Sequence, residues 1–169
     1  RWLRPERLRV IEENLLPVFG GDRHAARSAA QRLLSKFSAK ITDLWRHESG
    51  AATGICLSHW SGYEIFKTAL ERKQGVLLVT PHLGNWEIGG WLLAQRGVRL
   101  LVLTQPEPGL GFTELRRQAR ARWGVETLVI GQDAFAFVEV IQRLQEGAVV
   151  ALLVDRPPPP TAVTVEFFG

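Results

Sequence analysis

One short segment, residues 80–87, carries the side chains that are best suited to acid–base chemistry. It reads T-P-H-L-G-N-W-E and places Glu87 five positions after His82. Histidine changes its protonation state close to neutral pH, so it is the usual general base of enzymes. A carboxylate that accepts from one imidazole nitrogen leaves the other nitrogen facing a substrate. We therefore take His82 and Glu87 as candidate catalytic residues, with Glu87 as the partner of His82.

The residues around this pair predict a strand that turns into a helix. Pro81 cannot donate to a sheet, Gly84 permits a tight turn, and Asn85 is a good N-cap. His82 would then stand just past the end of the strand, and Glu87 would stand in the first helical turn, so the two side chains could converge. A purely structural hydrogen-bonded pair is the alternative interpretation.

The sequence offers no protein nucleophile and no metal site beside the histidine. It contains no G-x-S-x-G turn, and its one cysteine is Cys56. The four histidines, His24, His47, His59 and His82, lack the spacing of metal ligands. The base is therefore expected to act on a hydroxyl that the substrate brings, by direct transfer, or on water. No metal and no cofactor are expected.

Apolar periodicity predicts an α/β fold with a largely parallel central sheet and flanking helices. Residues 1–50 indicate a helical lead-in, and residues 51–169 an α/β part of the same domain. Strands are predicted at Val76–Val79, Leu100–Leu103, Leu128–Ile130 and Ala148–Val154, alternating with helices near 85–96, 110–122 and after Asp133. Active sites of such sheets lie at the carboxyl ends of strands, which is where His82 is expected.

Three further predictions concern the residues before the first of these strands. Asp22 is expected to cap a helix with an apolar stripe at Leu33, Phe37, Ile41, Leu44 and Trp45. Residues 53–60 are a weak strand prediction. Tyr63, Phe66, Ala69 and Leu70 indicate one face of a short helix, and Val76–Val79 is expected to be covered on both faces.

Composition limits the class of protein without choosing a function. The chain has 169 residues, 46% of them hydrophobic, which suits one globular domain. A net charge of +4 favours an anionic partner such as a phospholipid surface or an acidic carrier protein. Aromatic and basic residues are not interleaved, so nucleic acid is not an expected partner. The chain starts at Arg1 and stops at Gly169 after two phenylalanines, so we expect a piece of a longer protein.

Four pieces of the chain resemble one enzyme family. The N-terminal piece, NLLPVFGGDRHAARSAAQRLLSKFSAKITDLW, is similar to the helical lead-in of that family. VLLVTPHLGNWEIGG resembles the first motif of the lysophospholipid and glycerophosphate acyltransferase superfamily, and its G-N-W-E context resembles the lipid A biosynthesis acyltransferases, which include lauroyl and myristoyl transferases and related mannoside acyltransferases. QARARWGVETLVI is similar to the second block, with Arg120 and Gly124. VIQRLQEGAVVALLVDRPPPPTAVTVEFFG is similar to the third block, with Asp155 and the terminal F-F-G.

The resemblance implies roles for individual residues. His82 would be the base on the acceptor hydroxyl, and Glu87 would orient it. Substrate-binding candidates are Arg120, Asp155, Arg156, Gly84 and Asn85. Two alternatives stay open, because Arg120 lies in a basic helix whose arginines could simply face solvent, and Asp155 could cap a turn. The run Pro157–Pro160 replaces the polar, glycine-containing loop that usually follows the aspartate.

The function implied is that of an acyltransferase, which moves a fatty acyl chain to a hydroxyl of a glycolipid such as a lipid A precursor. The donor would be a thioester of acyl carrier protein, or acyl-CoA, and no acyl-enzyme would form. The expected location is the cytoplasmic face of the bacterial inner membrane, held by an anionic surface or by a segment outside this chain. The alternatives are a lipid esterase or thioesterase, and a non-catalytic peripheral membrane-binding module.

Overall fold

Helices and a parallel sheet make up the computed structural model, which describes residues 5–51, 54–107, 109–131, 135–155 and 166. The chain divides into two compact units, residues 1–54 and 55–169. The described residues of the first unit are helical, and the sheet lies entirely in the second unit. None of the described helices is long and apolar enough to cross a membrane.

The first unit holds two helices joined by a 3₁₀ turn: α1 at Pro5–Leu15, the turn at Leu16–Phe19, and α2 at Arg23–Glu48. Asp22 is the N-cap of α2, as predicted. Its Oδ1 accepts from the backbone N–H groups of His24 at 2.9 Å and Ala25 at 3.0 Å. The cap therefore satisfies two of the donors that a helix start leaves without intrahelical partners.

The apolar stripe predicted for α2 is largely exposed. Leu44 is buried, but Leu33, Phe37 and Trp45 are each about half exposed. Small residues, Ala26 and Ala30, take the fully buried positions instead. The periodicity of the large side chains therefore predicted the helix correctly and its buried face wrongly.

The second unit alternates helices with strands, and its elements are α3 (Tyr63–Glu71), β1 (Val76–Thr80), α4 (Trp86–Ala94), β2 (Leu100–Thr104), α5 (Phe112–Ala121), β3 (Val125–Val129), α6 (Ala136–Gln145) and β4 (Val149–Leu153). The strand order is β1-β4-β2-β3, and every pair is parallel. This confirms the predicted α/β fold. The weak strand prediction at residues 53–60 is wrong over 54–60, because none of these residues pairs with a described strand.

Helices cover the two faces of the sheet unequally. On one face, Leu100, Val125 and Val149 pack with apolar side chains from α3 and α4. On the other face, Leu101, Leu103 and Val150 pack against α6. That helix packs mainly against β4. The edge strand β1 therefore exposes Leu77 by 55% and Val79 by 49%, and the prediction that it is covered on both faces is wrong.

Candidate active site

The loop between β1 and α4 places His82 at the carboxyl end of the sheet. β1 ends at Thr80 and α4 begins at Trp86, as the sequence predicts for a strand that turns into a helix. Gly84 has a φ of +61°, a left-handed conformation that suits glycine and reverses the chain in a few residues. Asn85 stands at the N-cap position, although its side chain makes no capping hydrogen bond.

The carboxylate on the His82 ring belongs to Asp155. Nδ1 of His82 lies 2.5 Å from Oδ1 of Asp155, and the backbone N–H of His82 donates to Oδ2 at 2.8 Å. The two residues meet because β1 pairs with β4, with Thr80 opposite Leu153, so both strands end at the same edge. Asp155, which was predicted to bind substrate, therefore occupies the position beside His82 that was predicted for Glu87.

Glu87 instead binds two arginines of α5. Nε and Nη2 of Arg120 donate to its two carboxylate oxygens at 2.9 and 2.6 Å, and Nη2 of Arg116 lies 2.9 Å from Oε2. All three side chains are at most 12% exposed. The first turn of α4 therefore directs Glu87 toward α5, and the bidentate contact is the strong geometry for an arginine–carboxylate pair.

The two carboxyl groups are both held ionised, for different reasons. Burial by itself would raise the pKa of Glu87, but the hydrogen bonds and charge of Arg120, together with Arg116, lower that pKa overall. The pKa of Asp155 is lowered by the hydrogen bonds from the ring and the backbone of His82. Asp155 is exposed, whereas Glu87 is nearly enclosed, so only the latter forms a desolvated ion pair.

Trp86 also restricts the orientation of the His82 ring. The two rings meet edge to face, with centroids 4.6 Å apart and an interplanar angle of 86°. In the tautomer with its hydrogen on Nδ1, His82 donates to Asp155 and leaves Nε2 as a lone-pair base. With the ring held on two sides and its side chain 22% exposed, His82 is ordered and still reachable.

Two cavities lie next to each other at Trp86, and His82 lines the smaller one. A smaller cavity of about 230 Å³ is lined by His82, Glu87 and Arg120 together with residues that follow β2 and β4. A larger cleft of about 500 Å³ lies beside it, and apolar side chains of the sheet and of α4 form most of its lining. Trp86 lines both. We call the smaller cavity the polar cavity, because it contains the charged groups of Glu87 and Arg120. The apolar cleft beside it has the volume of a small-molecule site.

The other predicted site residues fall in different places. Arg120 lines the polar cavity, but Glu87 engages its guanidinium, and Asn85 lines the apolar cleft. Arg156 lies outside the described residues, as do Pro157–Pro160 and the terminal F-F-G. Arg116, the second arginine in contact with Glu87, is not among the predicted site residues. Its position four residues before Arg120 puts both on one face of α5, and that spacing was the available signal.

Known proteins resemble this chain along most of its length. The family model described as bacterial lipid A biosynthesis acyltransferase matches residues 9–169. A phosphatidylinositol mannoside acyltransferase of Mycobacterium tuberculosis (strain H37Rv) is 31% identical over 110 residues, which cover 64% of this chain and 34% of that protein. The protein of the same name from Mycolicibacterium smegmatis is 29% identical over 104 residues, which cover 60% and 34%.

The family model matches more of this chain than the curated relatives do. The chain spans about a third of the length of the curated relatives that it matches. The family model, in contrast, extends over all but the first eight residues of the chain. That match includes the loop with His82, the helix with Arg120 and the strand end with Asp155. The chain belongs to the bacterial lipid A biosynthesis acyltransferase family.

Proposed function

We propose that this chain carries the catalytic base of an acyltransferase that moves a fatty acyl chain from a thioester to a hydroxyl of a glycolipid. The observation that carries the proposal is His82, which Asp155 holds in the polar cavity next to the apolar cleft. Membership of the family supports the reaction class. The relatives named for phosphatidylinositol mannoside support a glycolipid as the acceptor.

In the proposed reaction, Nε2 of His82 removes the proton from the acceptor hydroxyl as its oxygen attacks the thioester carbonyl. The carbon–oxygen bond forms, the carbon–sulfur bond breaks, and the departing thiolate takes the proton from the imidazolium. Asp155 stabilises the charged ring and fixes its tautomer. No protein nucleophile is needed, so no acyl-enzyme forms. General-base help of this kind contributes about 10²–10⁴ in rate.

Glu87 has a positioning role in this proposal. Its carboxylate joins α4 to Arg116 and Arg120 on α5. Glu87 and Arg120 line the polar cavity, and with Arg116 they form a fixed cluster of one carboxylate and two guanidinium groups. A substrate oxygen in that cavity would therefore meet a net positive charge. Glu87 would therefore hold the helix that carries Trp86, which in turn contacts the ring of His82.

The apolar cleft supplies the place for the acyl chain. Its floor comprises Leu78, Ala151 and Val102, which lie side by side on β1, β4 and β2. A saturated chain gains affinity from burial against such a surface, at about 0.8 kcal/mol per methylene. The proposed donor is a thioester of acyl carrier protein or of coenzyme A. The net charge of +4 supports an acidic carrier or an anionic membrane surface, and we propose action at the cytoplasmic face of the inner membrane.

The direct test measures transfer of a labelled acyl group from a carrier thioester to a glycolipid, using the protein that contains this chain. His82→Ala is expected to lower transfer by at least about 100-fold, the lower end of general-base effects. His24→Ala, at an exposed position of α2, is the matched control and should leave transfer unchanged. Equal transfer by the wild type and His82→Ala would remove His82 as the base.

The same assay separates the proposed reaction from hydrolysis. Release of free fatty acid without any lipid acceptor, at the rate found with acceptor, would indicate an esterase or thioesterase. Binding to anionic vesicles without transfer or hydrolysis, unaffected by His82→Ala, would indicate a membrane-binding module.

A further inference from the structure

Two adjacent glycines lie in the interior of α4, in the sequence W-E-I-G-G-W-L-L-A. Glycine is among the least favourable residues inside a helix, because it has more backbone freedom to lose. Neither Gly89 nor Gly90 is among the residues of positive φ, so the backbone does not require glycine at these positions. Their presence needs another physical reason.

Close packing does not supply that reason. A Cβ added at Gly89 would meet no heavy atom within 4 Å, and one added at Gly90 would lie 3.5 Å from Cδ2 of Leu100, an ordinary contact. Both glycines instead line the apolar cleft, and Gly90 also lines the polar cavity that contains His82. The space that their missing side chains would occupy is therefore space in the cleft.

We propose that Gly89 and Gly90 set the length of acyl chain that the cleft accepts. The inference rests on the proposed function, since it assigns the cleft to the acyl group of the donor. Larger side chains at these two positions would narrow the cleft while leaving the helix and the catalytic loop in place.

The order of residues along α4 explains how a narrowing there would shorten the chain. The helix starts at Trp86, which touches the His82 ring, and Leu92 and Leu93 also line the cleft further along. Four residues of helix span about 6 Å, so Gly90 stands about one turn away from the ring contact. An acyl chain whose carbonyl lies at His82 would pass the two glycines before it reaches Leu93.

The experiment uses fatty-acid binding as a readout that is independent of transfer. A fluorescent fatty acid is bound to the protein and displaced by saturated fatty acids from medium to long chain. Gly89→Ala and Gly89→Leu are compared with the wild type, and Gln142→Leu, at an exposed position of α6 on the opposite face of the sheet, is the matched control. Thermal unfolding shows which variants keep the fold.

The expected result is a graded loss of affinity for long chains only. Each methylene kept out of an apolar site costs about fourfold in affinity, so Gly89→Leu should weaken long-chain binding by at least about 10-fold and leave medium chains within about twofold. Gly89→Ala should show a smaller loss in the same direction, and it tests the inference if the leucine variant unfolds. Gln142→Leu should match the wild type.

Two results would overturn the inference. One is a chain-length profile that is the same in the wild type and both Gly89 variants, and the other is a wild type that binds no fatty acid. Acyl transfer measured on the same variants distinguishes this inference from the proposed function. Length-dependent binding that Gly89→Leu alters, without any transfer, would uphold the cleft assignment and contradict the proposed reaction. Transfer by the Gly89 variants with the chain-length preference of the wild type would uphold the proposed reaction and contradict the cleft assignment.

Discussion

Nδ1 of His82 lies 2.5 Å from Oδ1 of Asp155, although 73 positions separate the two residues in the chain. The second carboxylate oxygen accepts from the backbone N–H of His82, so one aspartate positions both the ring and the main chain of the loop. A carboxylate on Nδ1 selects the tautomer whose Nε2 can accept a proton. The relationship therefore explains how a loop residue can serve as a directed base.

Asp155→Asn should lower the rate of acyl transfer more than it changes substrate affinity. The amide can donate to Nδ1 and stabilise the wrong tautomer, and it cannot balance the imidazolium. We expect kcat to fall by about 10-fold to about 10⁴-fold, the larger value being that of the equivalent change in a serine protease triad. Steady-state kinetics with varied thioester separates kcat from KM. Glu114→Gln, at an exposed ion pair with Arg117, is the control and should keep kcat. An unchanged kcat in Asp155→Asn would assign the aspartate to loop structure alone.

Glu87→Gln should destabilise the fold in a manner that depends on pH. The change leaves two buried guanidinium groups without their carboxylate, which costs about 3–5 kcal/mol when one partner of a buried pair is removed. The folded pKa of Glu87 is lowered, so ionised Glu87 stabilises the fold above the unfolded pKa of about 4.3, and this stabilisation is lost as pH falls through the folded pKa.

Urea unfolding of the wild type and Glu87→Gln at neutral and at acidic pH measures this dependence. The difference in free energy of unfolding should be largest at neutral pH and shrink below about pH 4. Glu64→Gln, at an exposed position of α3, should differ from the wild type by no more than about 0.5 kcal/mol at either pH. A Glu87→Gln penalty that does not change with pH would contradict a role for the ionised carboxylate.

Gly75→Ala should be among the most destabilising small substitutions in the second unit. Gly75 has a φ of +74°, and an added Cβ would lie 2.3 Å from the backbone oxygen of Leu144. The left-handed conformation and the overlap with backbone atoms together should cost about 2–5 kcal/mol. Gly97→Ala is a matched control, since its φ is +76° with no heavy atom within 4 Å, and it should cost only about 1–2 kcal/mol. Equal losses of unfolding free energy in Gly75→Ala and Gly97→Ala, measured with urea, would mean that the overlap with the backbone of Leu144 costs nothing.

Asp22→Ala should weaken the start of α2. The change removes the acceptor for the N–H groups of His24 and Ala25, and loss of such a cap costs about 0.5–2 kcal/mol. Asp43→Ala, at an exposed position inside the same helix, should be neutral or slightly stabilising because alanine is the better helix former. Amide hydrogen exchange at His24 and Ala25 measures the local effect. Unchanged exchange in Asp22→Ala would mean that the cap contributes nothing.

Local patterns predicted the alternation of helices and strands well. The four strands and the intervening helices follow from short apolar runs, glycine stops and the 3.6-residue period, all of which act within a few residues. The position of His82 was predicted for the same reason, because a proline, a glycine and an asparagine define the turn that carries it. The coverage of β1 was predicted wrongly, since an apolar run does not reveal whether its strand is central or at an edge.

The contacts between the site residues depend on helix direction and strand order, which the local sequence does not reveal. Glu87 follows His82 closely, and proximity in the chain suggested a contact that the direction of the first turn of α4 does not allow. Asp155 reaches His82 because β4 and β1, the last and the first of the described strands in chain order, are neighbours in the sheet. Strand order is a property of the whole sheet, so the histidine could be identified from its neighbours while its carboxylate could not.

The strand order also determines when this site can form during folding. β4 lies between β1 and β2, which are not neighbours of each other. During synthesis both strands emerge before β4, and each must keep an edge open for a segment that is made much later. Pairings of such large sequence separation slow folding and leave apolar edges exposed to other chains. Because β4 also carries Asp155 to His82, this contact forms only after β4 has joined the sheet, and in a nascent chain without β4 the ring of His82 lacks its carboxylate partner.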